Sequence, residues 1–124
     1  MSLLFIFVGA GLGGLLRYGV SNAVYQWLGA LFPYGTLLVN ISGSLLMGFL
    51  FVVIADRFMV VAPALRALLL IGFLGGYTTF SSFSIEAVNL LEAGQLGYAV
   101  CYVLLSVVGC VAAAWVGVLL GEQI

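Results

Sequence analysis

Residues 72–83 read GFLGGYTTFSSF, and they lie inside an apolar run, Ala64 to Leu91, long enough to cross a membrane. As one continuous helix that run would measure about 42 Å, against a hydrocarbon core of about 30 Å. Gly75 and Gly76 weaken a helix, and β-branched Thr78 and Thr79 add little propensity for one. The pattern predicts a helix that stops and restarts between Gly75 and Thr79. An interruption frees backbone N–H and C=O groups that lipid cannot satisfy. It persists where those groups bind an ion or line a wet cavity; a kink relieved by the Thr and Ser hydroxyls is the alternative these residues leave open.

Composition points the same way. Of 124 residues, 65% are hydrophobic and 6% charged, with a mean hydropathy of +1.36. A soluble domain carries about 25% charged residues. An integral membrane protein is the class that remains. Three arginines, no lysine and no histidine exclude a basic nucleic-acid patch, a His-dependent triad and the common zinc sites. An enzyme is not expected. Met1–Ser2 runs straight into apolar sequence without a basic start, so a cleavable leader is not expected either. Cys101 and Cys110, nine apart on a helix, would sit about 180° around and about 13 Å along, too far to bridge.

Four runs reach crossing length, at about residues 3–28, 35–54, 64–91 and 98–120. The joints are GALFPYG (29–35), ADRFMVVAP (55–63) and EAGQLG (92–97), each with turn residues. The expected fold is an all-α, single-domain, four-helix membrane protein with both termini on one face. Small residues recur four apart: Gly9 and Gly13, Ser44 and Gly48, then Gly109, Ala113, Gly117 and Gly121. Such rows let helices approach closely in lipid, where hydrophobic burial gives no driving force. A bundle packed that tightly leaves no channel through its own centre, so transport would require an oligomer. Arg57 and Arg66 lie on the side that holds the termini, a bias of two and a faint orientation signal.

Several polar residues inside the spans call for a reason. Wound as a helix from Thr79, the residues Thr79, Ser82, Glu86 and Asn89 share one face, with Phe80 and Phe83 on the neighbouring one. Aromatic rings carry positive edges, so Phe edges beside hydroxyl and amide donors can hold an anion without a fixed charge. Asn40 brings an amide into the second span, either as such a donor or as interhelical glue. Arg17 is a charge within the first span, facing a vestibule or a partner acid, of which Glu86 is the candidate within reach. Tyr102 and Ser106 begin a row on the fourth span that fades into Cys110 and Ala114.

Together, GGLLRYG (13–19), GTLLVNISGSLLMG (35–48) and GFLGGYTTFSSFSIE (72–86) resemble the CrcB/Fluc family of small bacterial fluoride channels, over the whole chain. The resemblance implies a dual-topology, antiparallel dimer in the cell membrane, with two passive fluoride pores along its interface that lower fluoride toxicity. It implies a third helix broken at Gly75–Thr79, and a central structural Na⁺, not itself transported, held by carbonyls of Gly75 and Thr78 from both copies. It assigns Phe80 and Phe83 as anion contacts, Asn40 as a donor near them, and Tyr102 and Ser106 as the start of a hydroxyl track. The family continues that track at positions filled here by Cys110 and Ala114, which implies a shorter track or a pore-degraded copy that pairs with a paralogue. The rival reading is a small multidrug proton-coupled exporter, also four-spanning and dimeric. It needs an acid in the first span, and that span has none.

Overall fold

Lipid offers no partner to a backbone amide, so a chain this apolar has to pair its peptide groups along its own helices. A computed structural model covering residues 1–124 is helical nearly throughout. Four helical stretches are long and apolar enough to cross a membrane: Ser2–Leu28, Tyr34–Arg57, Ala62–Glu92 and Leu96–Glu122. We label the first α1 and the second α2; the third comprises α3 (residues 62–77) and α4 (Phe80–Glu92), and the last is α5. The helices run slightly past the apolar stretches, because winding continues through polar ends such as Ala55–Asp56–Arg57. Gly29 ends α1 at φ 83°, its amide returning to the Tyr25 carbonyl, and Gly94 turns the chain before α5 at φ 76°. Both are left-handed conformations that glycine takes without a Cβ clash.

α1 lies along α3, and α2 lies along α5. The small-residue rows explain both pairs. A Cβ on Gly9 would overlap the Leu68 carbonyl, and one on Gly13 the Phe73 carbonyl. In the second pair the fit is reciprocal: Gly48 sits on the Ala114 carbonyl and Gly117 on that of Leu45. Backbone meets backbone at each seat, which is how helices associate without a hydrophobic drive. Two small cores result. One joins Val39, Ile54, Leu70, Leu74 and Tyr77. The other joins Phe32, Phe83, Leu90, Ala99 and Tyr102 at the opposite end of the third span.

Between α3 and α4 the winding lapses. Gly75–Tyr77 complete a last helical turn, and the extended residues are Thr78 (φ −82°, ψ 157°) and Thr79 (φ −149°, ψ 120°). This is narrower than the glycines suggest. Gly76 is used for packing instead, since a Cβ there would overlap the Ala10 carbonyl of α1. Ahead of it, Arg66–Leu74 wind in wide π turns; Gly75 N–H reaches back to the Leu70 carbonyl. π turns are uncommon and often found beside functional sites.

Candidate functional site

The two extended threonines are held by one side chain. Asn40 of α2 accepts the Thr79 N–H at 2.8 Å and donates to the Thr79 carbonyl at 2.9 Å, as a second peptide group would. A continuing helix would send that amide to the Gly75 carbonyl, which is thereby left without its helical donor. Thr79 then starts α4: its Oγ1 accepts the Ser82 N–H at 3.2 Å and donates to Ser82 Oγ at 3.0 Å. This is an N-cap, the arrangement that satisfies an orphan amide at a helix start. Thr78 Oγ1 donates back to the Leu74 carbonyl at 2.9 Å, and its methyl fills the space that the absent side chain of Gly43 leaves.

Beside this lapse lies an open groove of ≈ 350 Å³, walled by α2, α4 and α5. Asn40, Thr78, Thr79, Phe80, Phe83 and Ser106 line it, with Cys110 and Ala114 further along. These residues, all singled out in the sequence, come together from α2, α4, α5 and the extended Thr78–Thr79 segment. Asn40 has spent its oxygen and one N–H on Thr79, so one amide hydrogen remains for the groove. Phe83 is buried, its ring 5.2 Å from that of Tyr102 and 5.3 Å from that of Phe80. Phe80 is 76% exposed, so in the single chain its ring stands open on the groove's rim.

Tyr102 and Ser106 are the anomaly. Both are buried, and neither the Tyr102 hydroxyl nor Ser106 Oγ has a hydrogen-bond partner. A buried hydroxyl left unpaired costs about 1–3 kcal/mol, and more than nine in ten buried polar groups are paired. The two hydroxyls stand one helical turn apart on α5, Tyr102 against the Phe83 ring and Ser106 in the wall of the groove.

Arg17 and Glu86 do not meet. Arg17 Nε donates to the Gly76 carbonyl at 3.3 Å, capping the end of α3. Glu86 instead accepts from Thr36 Oγ1 at 2.5 Å and from the Tyr25 hydroxyl at 2.7 Å. Arg17 therefore serves the backbone just before the lapse, while Glu86 ties α4 to α1 and α2. Both cysteines are free thiols.

Sequence reasoning passed over Tyr25 and Thr36. Tyr25 sits near the end of an apolar span, where a tyrosine ordinarily marks the membrane interface. Thr36 looks like a helix-start residue. Only the adjoining Gly35 hints at the contact: a Cβ there would come within 2.8 Å of the Tyr25 ring.

The chemistry available is that of neutral dipoles. No cluster of three or more His, Cys, Asp or Glu side chains can hold a metal. What the groove presents is hydroxyls, one amide hydrogen and aromatic edges, a set that suits a small anion.

Comparison with known proteins agrees with this chemistry. The family model described as "CrcB-like protein, Camphor Resistance (CrcB)" matches residues 4–118. A Coxiella burnetii protein named fluoride-specific ion channel FluC is 60% identical over 124 residues, covering all of both chains. A protein of the same name from Magnetococcus marinus is 46% identical, again over both full lengths. One from Methylococcus capsulatus is 52% identical over all of this chain and 54% of its own. The match runs through all four spans and both sides of the Thr78–Thr79 lapse, and on it the chain belongs to the CrcB family.

Proposed function

We propose that this chain is a fluoride-selective channel subunit that lets fluoride leave the cell passively across the cell membrane. The observation that carries the reading is the pair of buried, unpartnered hydroxyls, Tyr102 packed on Phe83 and Ser106 in the wall of the groove that Asn40 also lines. Fluoride is small and strongly hydrated, so it enters a protein only where several donors replace its water at once. The Tyr102 and Ser106 hydroxyls and the remaining Asn40 amide hydrogen are such donors, and the ring edges of Phe80 and Phe83 complete the lining. The names carried by full-length relatives support the choice of anion.

Two copies in opposite orientation form the working unit in this reading. The groove is open on one side, and Phe80 is exposed on its rim, so a second chain is needed to close a pore. Na⁺ suits the end of α3. The Gly75 carbonyl lacks its helical donor, the Thr78 carbonyl sits in extended backbone, and neutral carbonyls are the ligands an alkali cation accepts. Gly75 and Thr78 of each copy would hold the ion, which supplies a fixed positive charge that joins the two copies. Arg17 and Asn40 hold the backbone on either side of those carbonyls.

Purified protein in liposomes loaded with fluoride should release it within the time of mixing and retain chloride. Equal release of both anions, or of neither, defeats the reading. Replacing Na⁺ by Li⁺ or K⁺ should lower flux or dissociate the dimer, and indifference to Na⁺ removes the cation from it.

A further inference from the structure

Turns in water draw on Gly, Asn, Asp, Ser and Pro, and the joint between α2 and α3 uses none of them. Phe58, Met59, Val60 and Val61 link Arg57, the last residue of α2, to Ala62, the first of α3. All four side chains are exposed, Met59 at 74% and Val60 at 94%. The turn is nonetheless well anchored. The Phe58 amide returns to the Ile54 carbonyl at 3.2 Å and the Leu65 amide to that of Val61 at 3.0 Å. Ile54 and Ala62, on either side, are buried in the larger core. A fixed backbone thus holds four apolar side chains outward.

Two of the three arginines stand at the same place. Arg57 precedes the turn, and Arg66 lies one helical turn past its end. Both are exposed, and neither makes a hydrogen bond or ion pair within the chain, whereas Arg17 is engaged by the Gly76 carbonyl. The acids on this face are Asp56 and Glu122, both exposed. The joints on the opposite face, 29–35 and 92–97, hold no arginine, and Glu92 is their one charged side chain. Both helices that meet at the turn are long and apolar enough to span the membrane, so the turn lies at its surface. There apolar side chains reach acyl chains and arginines reach phosphates. Chain orientation accounts for arginines gathered on one side, but not for four exposed apolar residues between them. We infer that this end of the bundle is a binding site for anionic phospholipid: Phe58–Val61 take up the acyl chains, and Arg57 and Arg66 pair with the headgroup phosphate. Charge complementarity selects an anionic headgroup over a zwitterionic one. The site does not depend on which ion the groove conducts.

The test is native mass spectrometry of the full chain in detergent, titrated with phosphatidylglycerol and with phosphatidylcholine of the same acyl chains. Wild type should hold phosphatidylglycerol about twentyfold more tightly, from about fivefold per arginine. Arg57→Gln and Arg66→Gln should each remove about fivefold of that preference and leave phosphatidylcholine binding unchanged. Arg57→Lys and Arg66→Lys keep the charge and should keep the preference, so they carry the test if the glutamine variants do not fold. Met59→Ser combined with Val60→Ser should weaken both lipids alike. An excess of inorganic phosphate should not displace phosphatidylglycerol, because it brings no acyl chain. Equal affinity of wild type for the two lipids overturns the site, as do glutamine variants that bind like wild type, lysine variants that lose the preference, or displacement by phosphate. Serine variants that bind lipid normally but separate two copies of the chain assign the turn to a protein contact, and that result overturns it too.

Discussion

The two halves of the third span are built on different principles. α3 is pressed backbone to backbone against α1, with Gly9, Gly13 and Gly76 each seated on a carbonyl of the facing helix. α4 has no such seats. It is attached by the Thr79 cap, by the hydrogen bonds of Glu86 to Tyr25 and Thr36, and by Phe83 and Leu90 in the smaller core. In lipid, close packing is strong but fixes helices by shape alone. Polar tethers fix individual side chains and leave the rest of a face uncovered. The half that only needs to stay put uses the first device, and the half that lines the groove uses the second.

The sharpest way to break this contrast is Gly13→Leu. The new side chain would meet the Phe73 carbonyl, which is backbone and cannot turn aside. A loss of about 3 kcal/mol, the upper end for overpacking, follows, and detergent extracts should contain little monodisperse protein. Asn40→Leu comes next. It leaves the Thr79 N–H and C=O unpaired, at about 1–3 kcal/mol each, and thermal melting should fall while fluoride release drops with it. Phe83→Ile should cost only about 1–2 kcal/mol of stability yet slow fluoride tenfold or more. Phe80→Ile should leave stability unchanged and still slow the ion, because its ring is exposed on the rim. Gly11→Ala marks the small end. Nothing stands within 4 Å of a Cβ there, so melting should rise or fall by less than about 1 kcal/mol. A larger loss would place a second copy against that face of α1.

Much of the groove's lining is legible in the sequence, because the relevant residues are costly exceptions in apolar runs. Asn40, Thr78, Thr79 and Ser106 stand out in lipid-compatible runs, and they do line one groove. Reading by exception also has blind spots. Tyr25 and Thr36 are ordinary at the end of one span and the start of the next, so nothing in their local setting advertises the carboxylate they share. Glu86 was visible as an acid within an apolar run, but its partners were not, and Arg17 proved to bind a carbonyl instead.

Gly75 and Gly76 show the same limit at finer scale. As helix-weakening residues they drew the interruption toward themselves, whereas the extended backbone is at Thr78 and Thr79. Glycine serves close approach as readily as it serves flexibility, and which role it plays depends on what faces it. For Gly76 the facing group is the Ala10 carbonyl.

The chain's own order of residues was enough to set four helices, their punctuation and the small-residue rows, because helix periodicity and the cost of an unpaired amide in lipid are local matters. Tertiary contact decided where the third span loses its winding, which side chain replaces the missing backbone partner, and which hydroxyls are left without one. Those outcomes depend on atoms brought together from positions 11 to 61 residues apart, and no local rule specifies a meeting over that distance.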